Sequence, residues 1–149
     1  MDLRPVKSLV KRVIPYHIIR RASLARTPPE PELLGLSRMA GVGCFVDVGA
    51  NFGQWSWFAA HHFKRVHAFE PNVTLAALLK KSLPRNVEVH AIALSDHQGQ
   101  GVLQTPIVDG DQVYALASLE TAANGTVPTA PSSVELRTLD ELEIRQSTQ

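Results

Sequence analysis

The stretch Phe45-Val46-Asp47-Val48-Gly49-Ala50-Asn51-Phe52-Gly53-Gln54 joins an acid at a strand end to a turn of small residues and then to a helical segment. Gly49 and Gly53 remove side chains where a ligand must approach the backbone, and Asn51 tolerates the left-handed conformation at modest cost. The first N–H groups of the following helix suit a carboxylate. Asp47 is placed to receive an ammonium group directly or through water. A ligand carrying both groups on one carbon, the methionine moiety of a sulfonium cofactor, matches that pair. A dinucleotide fingerprint has no such acid and needs G-x-G-x-x-G; here Asn51 stands at the second glycine and Gln54 at the third.

Glu70 follows Asp47 by 23 residues, at the end of the next apolar run, where an acid accepts hydrogen bonds from both ribose hydroxyls. Ser95 and Asp96 close a third run and are expected in the crevice that takes the adenine ring, with a plain capped turn as the competing reading. The expected cofactor is S-adenosylmethionine, held by Asp47, Gly49, Asn51, Gly53, Glu70, Ser95 and Asp96.

These residues need a scaffold that gathers strand ends, and the apolar pattern supplies one. Cys44 to Val48 reads as a strand buried on both faces, Gln54 to Phe63 as a helix, and Val66 to Phe69 as a second strand. Thr74 to Leu83 is a second helix stopped by Pro84, and Val87 to Leu94 a third strand. Strand, helix, strand, helix, strand is the order of an open α/β sheet with right-handed crossovers, half of a doubly wound fold. Beyond Asp96 the glycines and prolines suggest a hairpin and a long loop, and Val134 to Leu139 alternates like an edge strand. Residues 1–31 read as a basic helical arm, broken at Pro15, with a proline-rich linker; residues 32–149 hold the domain.

Composition narrows the partners. A 149-residue chain that is 44% apolar can bury one core, and a net charge of +1 makes no global case for nucleic acid. The charge is unevenly spread: the first 26 residues carry +6 and the remainder −5. A solvated leading helix is the plainer reading of that arm, and contact with a membrane surface the sharper one. The lone Cys44 excludes an internal disulfide and a multi-cysteine zinc site, and the Leu9 to Ile19 stretch is too interrupted by charge to be a signal core or a span. A cytoplasmic location is expected. The sequons at Asn72 and Asn124 are read as chance.

His61 and His62 are expected to end a helix, where positive charge suits the dipole, and His67 and His90 to face each other as core residues on adjacent strands. No metal site is read from them. His97, nearer the crevice, is the candidate general base, although no catalytic residue is assigned. Of Trp55 and Trp57, on different helix faces, one is expected in the core and the other on the pocket wall.

The segment Val46 to Ser56 resembles the FkbM family of methyltransferases. Ala68-Phe69-Glu70-Pro71-Asn72 is similar to that family's second-strand motif, Ala93-Leu94-Ser95-Asp96 to its third, and Arg137-Thr138-Leu139-Asp140-Glu141-Leu142 to the segment leading into its fourth strand. The resemblance spans about Val42 to Leu142. It implies a Rossmann-like class I sheet and methylation of a hydroxyl on a small molecule or a sugar. The family's next apolar strand and its Asp-x-Glu-Gly motif have no counterpart in Glu143 to Gln149. Three parallel strands with a hairpin or edge strand are therefore expected, from a chain truncated on its C-terminal side or completed by another polypeptide. Loss of the fourth strand would leave Phe45, Val46 and Val48 on an open edge. The alternative function is a non-catalytic binding or pairing module that works through this edge and the basic arm, with a protein partner or self-association at the edge.

Overall fold

A computed structural model describes residues 16–26, 31–36, 38, 43–119, 127–142 and 144. The basic residues Arg4, Lys7, Lys11 and Arg12, the linker from Thr27 to Glu30, the sequon at Asn124 and the final five residues lie outside that set.

Two helices come first, α1 (Tyr16–Arg26) and α2 (Pro31–Leu36). Pro31, read as linker, is the first residue of α2, a position where its fixed φ and missing N–H cost nothing. Helix α1, the described part of the segment read as a separate arm, packs on the body. Leu24 of α1 is buried among Ala68, Ala76, Leu79 and Val89, and the Arg21 guanidinium lies 5.8 Å from the centre of the Trp57 ring.

Strands β1 (Phe45–Val48), β2 (Val66–Phe69) and β3 (Val87–His90) form a parallel sheet in the order β1-β2-β3. Parallel neighbours need crossovers, here α3 (Gln54–Ala59) and α4 (Val73–Ser82). Both helices cover one face. Phe45, Val66 and Val87 pack with Ala59 and Phe63, and Ala68 and Val89 pack with Ala76 and Leu79. Alternation then directs Val46, Val48, His67, Phe69, Glu88 and His90 to the opposite face.

The helix expected to reach Phe63 stops at Ala59. The amides of His61 and His62 bond to carbonyls three residues back instead of four, and the Asn86 side chain donates to the Ala60 and Phe63 carbonyls at 2.8 and 3.0 Å. A tight last turn capped from β3's side replaces another turn of helix. Helix α4 starts cleanly because the Asn72 carboxamide oxygen accepts from the Thr74 and Leu75 amides.

The single third strand expected from Val87 to Leu94 is two strands. The Glu70 amide bonds to the His90 carbonyl and finishes the parallel ladder. After Ala91 and Ile92, Ala93–Leu94 (β4) joins a second, curled sheet with β5 (Gly99–Val108), β6 (Asp111–Gln112) and β7 (Thr129–Arg137), ordered β4-β7-β5-β6. The expected hairpin is β5-β6, turned by Asp109 and Gly110 at φ 53 and 85, as a two-residue hairpin turn requires. Strand β7 is interior, parallel to β4 and antiparallel to β5. It is no edge, and its alternation records Val134 and Leu136 pointing into a core with Ala93 and Leu103. Pro131 is tolerated in β7 because its partner Gln104 directs both backbone groups away, to Ser118.

Gly53 sets the contact between the β1–α3 turn and α4. A Cβ there would stand 2.6 Å from Leu79 Cδ2 and 3.3 Å from Leu83, and its φ is 79. Gly49, at φ 76, has no heavy atom within 4 Å of a would-be Cβ. Gly53→Ala is expected to cost about 2–4 kcal/mol, from left-handed strain plus overpacking. Gly49→Ala is expected to cost about 1–2 kcal/mol from strain alone. Urea unfolding of the two variants checks the order; equal losses would contradict the packing role of Gly53.

Candidate functional site

Three of the five residues after β1 have positive φ: Gly49 at 76, Asn51 at 48 and Gly53 at 79. This conformation turns the chain back over β2. The Gly49 and Ala50 amides both donate to the Phe69 carbonyl at 2.9 Å, and the Gly53 amide donates to the Ala50 carbonyl at 2.7 Å. The Asn51 amide then reaches Glu70, donating to Oε2 at 2.7 Å. The other carboxylate oxygen of Glu70 accepts from the Asn72 amide at 2.9 Å. Glu70, only 5% exposed, thus ties the glycine turn to the cap of α4.

The acid of β1 is held differently. Ser56, wholly buried in α3, donates its hydroxyl to Asp47 Oδ2 at 2.5 Å, and its backbone adds a second bond. Burial raises the pKa of Asp47 above the ordinary carboxylate value, against the lowering effect of both Ser56 bonds. Glu70 is raised too, by burial first, against the Asn72 and Asn51 amides, with the Asp47 charge adding to the rise. Two acids are therefore kept near each other in a place that disfavours their charge, as sites that bind or react often require. Ser56 was not singled out in the sequence; the available signal was a small polar residue in the first turn of the helix after a strand-end acid.

Above the carboxyl ends of the strands lies a cavity of about 360 Å³. Val48 and Gly49 wall it from β1, Phe69 and Pro71 from β2, and Ile92 and Leu94 from the β3–β4 switch. Asp47 and Glu70 each immediately adjoin a lining residue in the chain without lining the cavity themselves. Gly49 is a wall residue. Gly53 is a packing residue instead, since α4 fills the space its side chain would need. Within the turn, Asn51 Oδ1 is buried with no hydrogen-bond partner among the described residues.

Ser95 and Asp96 do not line the cavity, whereas Ala93 and Leu94 just before them do. The switch of sheets carries the chain past the crevice: the Ser95 amide bonds to the Arg137 carbonyl, and Asp96 is exposed, with His97 Nδ1 at 2.6 Å from its Oδ1. Bonds from His97 and then Ser95 lower the pKa of Asp96. His97, the candidate base, sits with this surface group. Neither tryptophan walls the cavity; Trp57 packs on the core and against His61. His61 and His62 lie in the turn after α3, with His62 against Phe58. His67 and His90 do face each other, Nδ1 to Nε2 at 3.2 Å, with Glu88 alongside.

Two substitutions separate the acids. In Glu70→Gln one amide of the Asn51 and Asn72 pair must face an NH2 group, so a loss of about 1–3 kcal/mol is expected. Asp47→Asn keeps an acceptor for Ser56 and removes a charge that the fold disfavours. Because the folded pKa of Asp47 lies above the unfolded one, stability falls as pH rises through that interval. Asp47→Asn is therefore expected to melt higher than wild type at pH 7, the gap closing as pH falls toward 3.8, the ordinary value. Calorimetry across pH reads this; a gap that widens in acid would refute it. Compared with known proteins, the chain matches no family model, no curated protein and no solved structure.

Proposed function

We propose that the glycine turn and the adjoining cavity bind S-adenosylmethionine, and that the parallel sheet is the first half of a Rossmann-like class I methyltransferase sheet. The observation that carries this reading is the conjunction at one sheet end. A turn with three left-handed residues sits between the half-buried Asp47 and the buried Glu70, beside a cavity at the carboxyl ends of parallel strands.

The residues present fit the cofactor in five respects. Gly49 presents bare backbone to the cavity wall, with open space where a Cβ would be. Asn51 Oδ1 lacks a partner among the described residues and offers an acceptor within the turn. Each oxygen of Glu70 accepts one backbone N–H, which leaves a lone pair on each for a ribose hydroxyl. Asp47 supplies the charge that an ammonium group would pair with and so favours its own ionised form on binding. The apolar wall formed by Phe69, Ile92 and Leu94 suits an adenine face. When bound, the cofactor supplies an electrophilic methyl group, and the acceptor implied by the family resemblance is a hydroxyl on a small molecule or sugar. This chain's own residues hold and orient, the larger part of an in-line transfer.

Titration calorimetry with S-adenosylmethionine tests the reading. Wild type is expected to bind, and Asp47→Asn, which keeps the fold, to bind about 10- to 100-fold more weakly, the worth of one charge-assisted bond. A folded wild type that takes up no cofactor would sink the proposal.

One observation favours a second reading, a pairing module. Among the described residues strand β1 is the end strand of its sheet, and Val48 on it is 61% exposed. On that reading sedimentation finds a dimer that Val48→Lys dissociates, with no heat from the cofactor.

A further inference from the structure

We propose that His67, Glu88 and His90 form a binding site for a divalent transition-metal ion of the zinc type, on the sheet face opposite α3 and α4. This site goes beyond the cofactor reading and does not depend on it.

The register of the sheet builds the cluster. β2 and β3 pair with His67 beside Glu88 and Phe69 beside His90, so all four side chains project from the same face. His67 Nδ1 is 3.2 Å from His90 Nε2 and 3.6 Å from Glu88 Oε2, and His90 Nε2 is 4.0 Å from Glu88 Oε1. Ligand atoms about 2.0–2.1 Å from a tetrahedral centre stand roughly 3.3 Å from one another. The imidazole pair already has that separation. The Glu88 side chain is 65% exposed, so a rotation about its own torsions closes the remaining gap without moving the backbone.

A simple hydrogen bond between the two rings also accounts for 3.2 Å, but it leaves the rest unexplained. It gives the adjoining carboxylate no part, although His67 is only 4% exposed and Glu88 Oε2 stands 3.6 Å from the same Nδ1. A buried imidazole bonded only to a second imidazole is weakly compensated for its lost hydration. A metal on Nδ1 offsets that loss and gives Glu88 a function. The donor set selects the ion: two imidazole nitrogens with one carboxylate is a zinc set that keeps a fourth position open, whereas magnesium and calcium prefer oxygen alone. Glu88 marks the solvent side, where the open position takes water.

The rings are held for the task. His67 sits in the central strand, and His90 stacks on Phe69 with centroids 4.6 Å apart and planes 13° from parallel. Phe69 is also a wall of the cavity. The ion would clamp β2 to β3 one side chain away from the crevice.

The untagged full chain, titrated with zinc chloride by calorimetry and in competition with a chromophoric chelator, tests this. One zinc per chain is expected, with a higher melting temperature in zinc and none of this effect in magnesium. Glu88→Gln, at an exposed position that leaves packing intact, should weaken zinc by at least about tenfold, and His90→Ala by about 100-fold or more. His61→Ala, His62→Ala and His97→Ala should each stay within about twofold of wild type, because none belongs to the cluster. The proposal is overturned if the folded wild type binds no zinc, or if Glu88→Gln binds as tightly as wild type. It is also overturned if affinity follows His61, His62 or His97 instead.

Discussion

The carboxylate of Glu70 is the contact on which the end of the sheet depends. Its residue joins three separate pieces of chain: the amide closes the ladder to β3 at the His90 carbonyl, and the side chain takes the Asn51 amide from the β1 turn and the Asn72 amide from the cap of α4. Pro71 has no N–H to offer, so the second bond falls to Asn72, whose own side chain then serves α4. A buried amide left without an acceptor costs about 1–3 kcal/mol. The acid thus removes two such costs at once. An amide side chain cannot reproduce this, since it accepts at one end only. The left-handed turn, the start of α4 and the upper edge of the cavity all inherit their positions from this residue.

That arrangement is held against an electrostatic cost. Burial raises both Glu70 and Asp47, and the charge on Asp47 raises Glu70 further. Purely structural demands would be met more cheaply with neutral acceptors or apolar packing at one of these positions. Two acids kept where ionisation is disfavoured instead suit a cationic or hydroxyl-bearing ligand, which relieves the cost on arrival. The same reasoning separates the acids. Glu70 is committed to backbone donors on both oxygens, while Asp47 is engaged by Ser56 alone among the described residues, so Asp47 has more left to give a ligand.

Where residues state their own local rule, the sequence was legible. The runs around Val46, Val66 and Val87 became parallel strands, the hairpin that the glycines beyond Asp96 suggested is turned at Asp109-Gly110, and Gly49, Asn51 and Gly53 took the left-handed conformations their types allow. What escaped depended on partners distant in sequence. An apolar run from Val87 to Leu94 cannot reveal that its last two residues pair with Leu136 and Arg137. The alternation of Val134 to Leu136 marks a strand with a buried face and is silent on whether both of its edges are occupied. Asn86 caps the end of α3 from 26 residues away, and Leu24 reaches the core across a linker. Ser95 and Asp96 followed the third run as expected, yet the unseen change of sheet displaced them from the cavity wall.

The change of sheet at Ala91 and Ile92 also explains the cavity. Had β3 continued straight, Ala93 and Leu94 would have extended the parallel sheet and the strand ends would have opened directly to solvent. Diverting them to β7 brings the second sheet, through Leu103, to the far side of the gap above Val48 and Phe69. The cavity is therefore apolar where the two sheets meet, while Asn51 and the two acids stand beside its wall without lining it. A flat, weakly polar ring suits that apolar wall, whereas a ligand charged throughout would strand its charge against Phe69, Ile92 and Leu94.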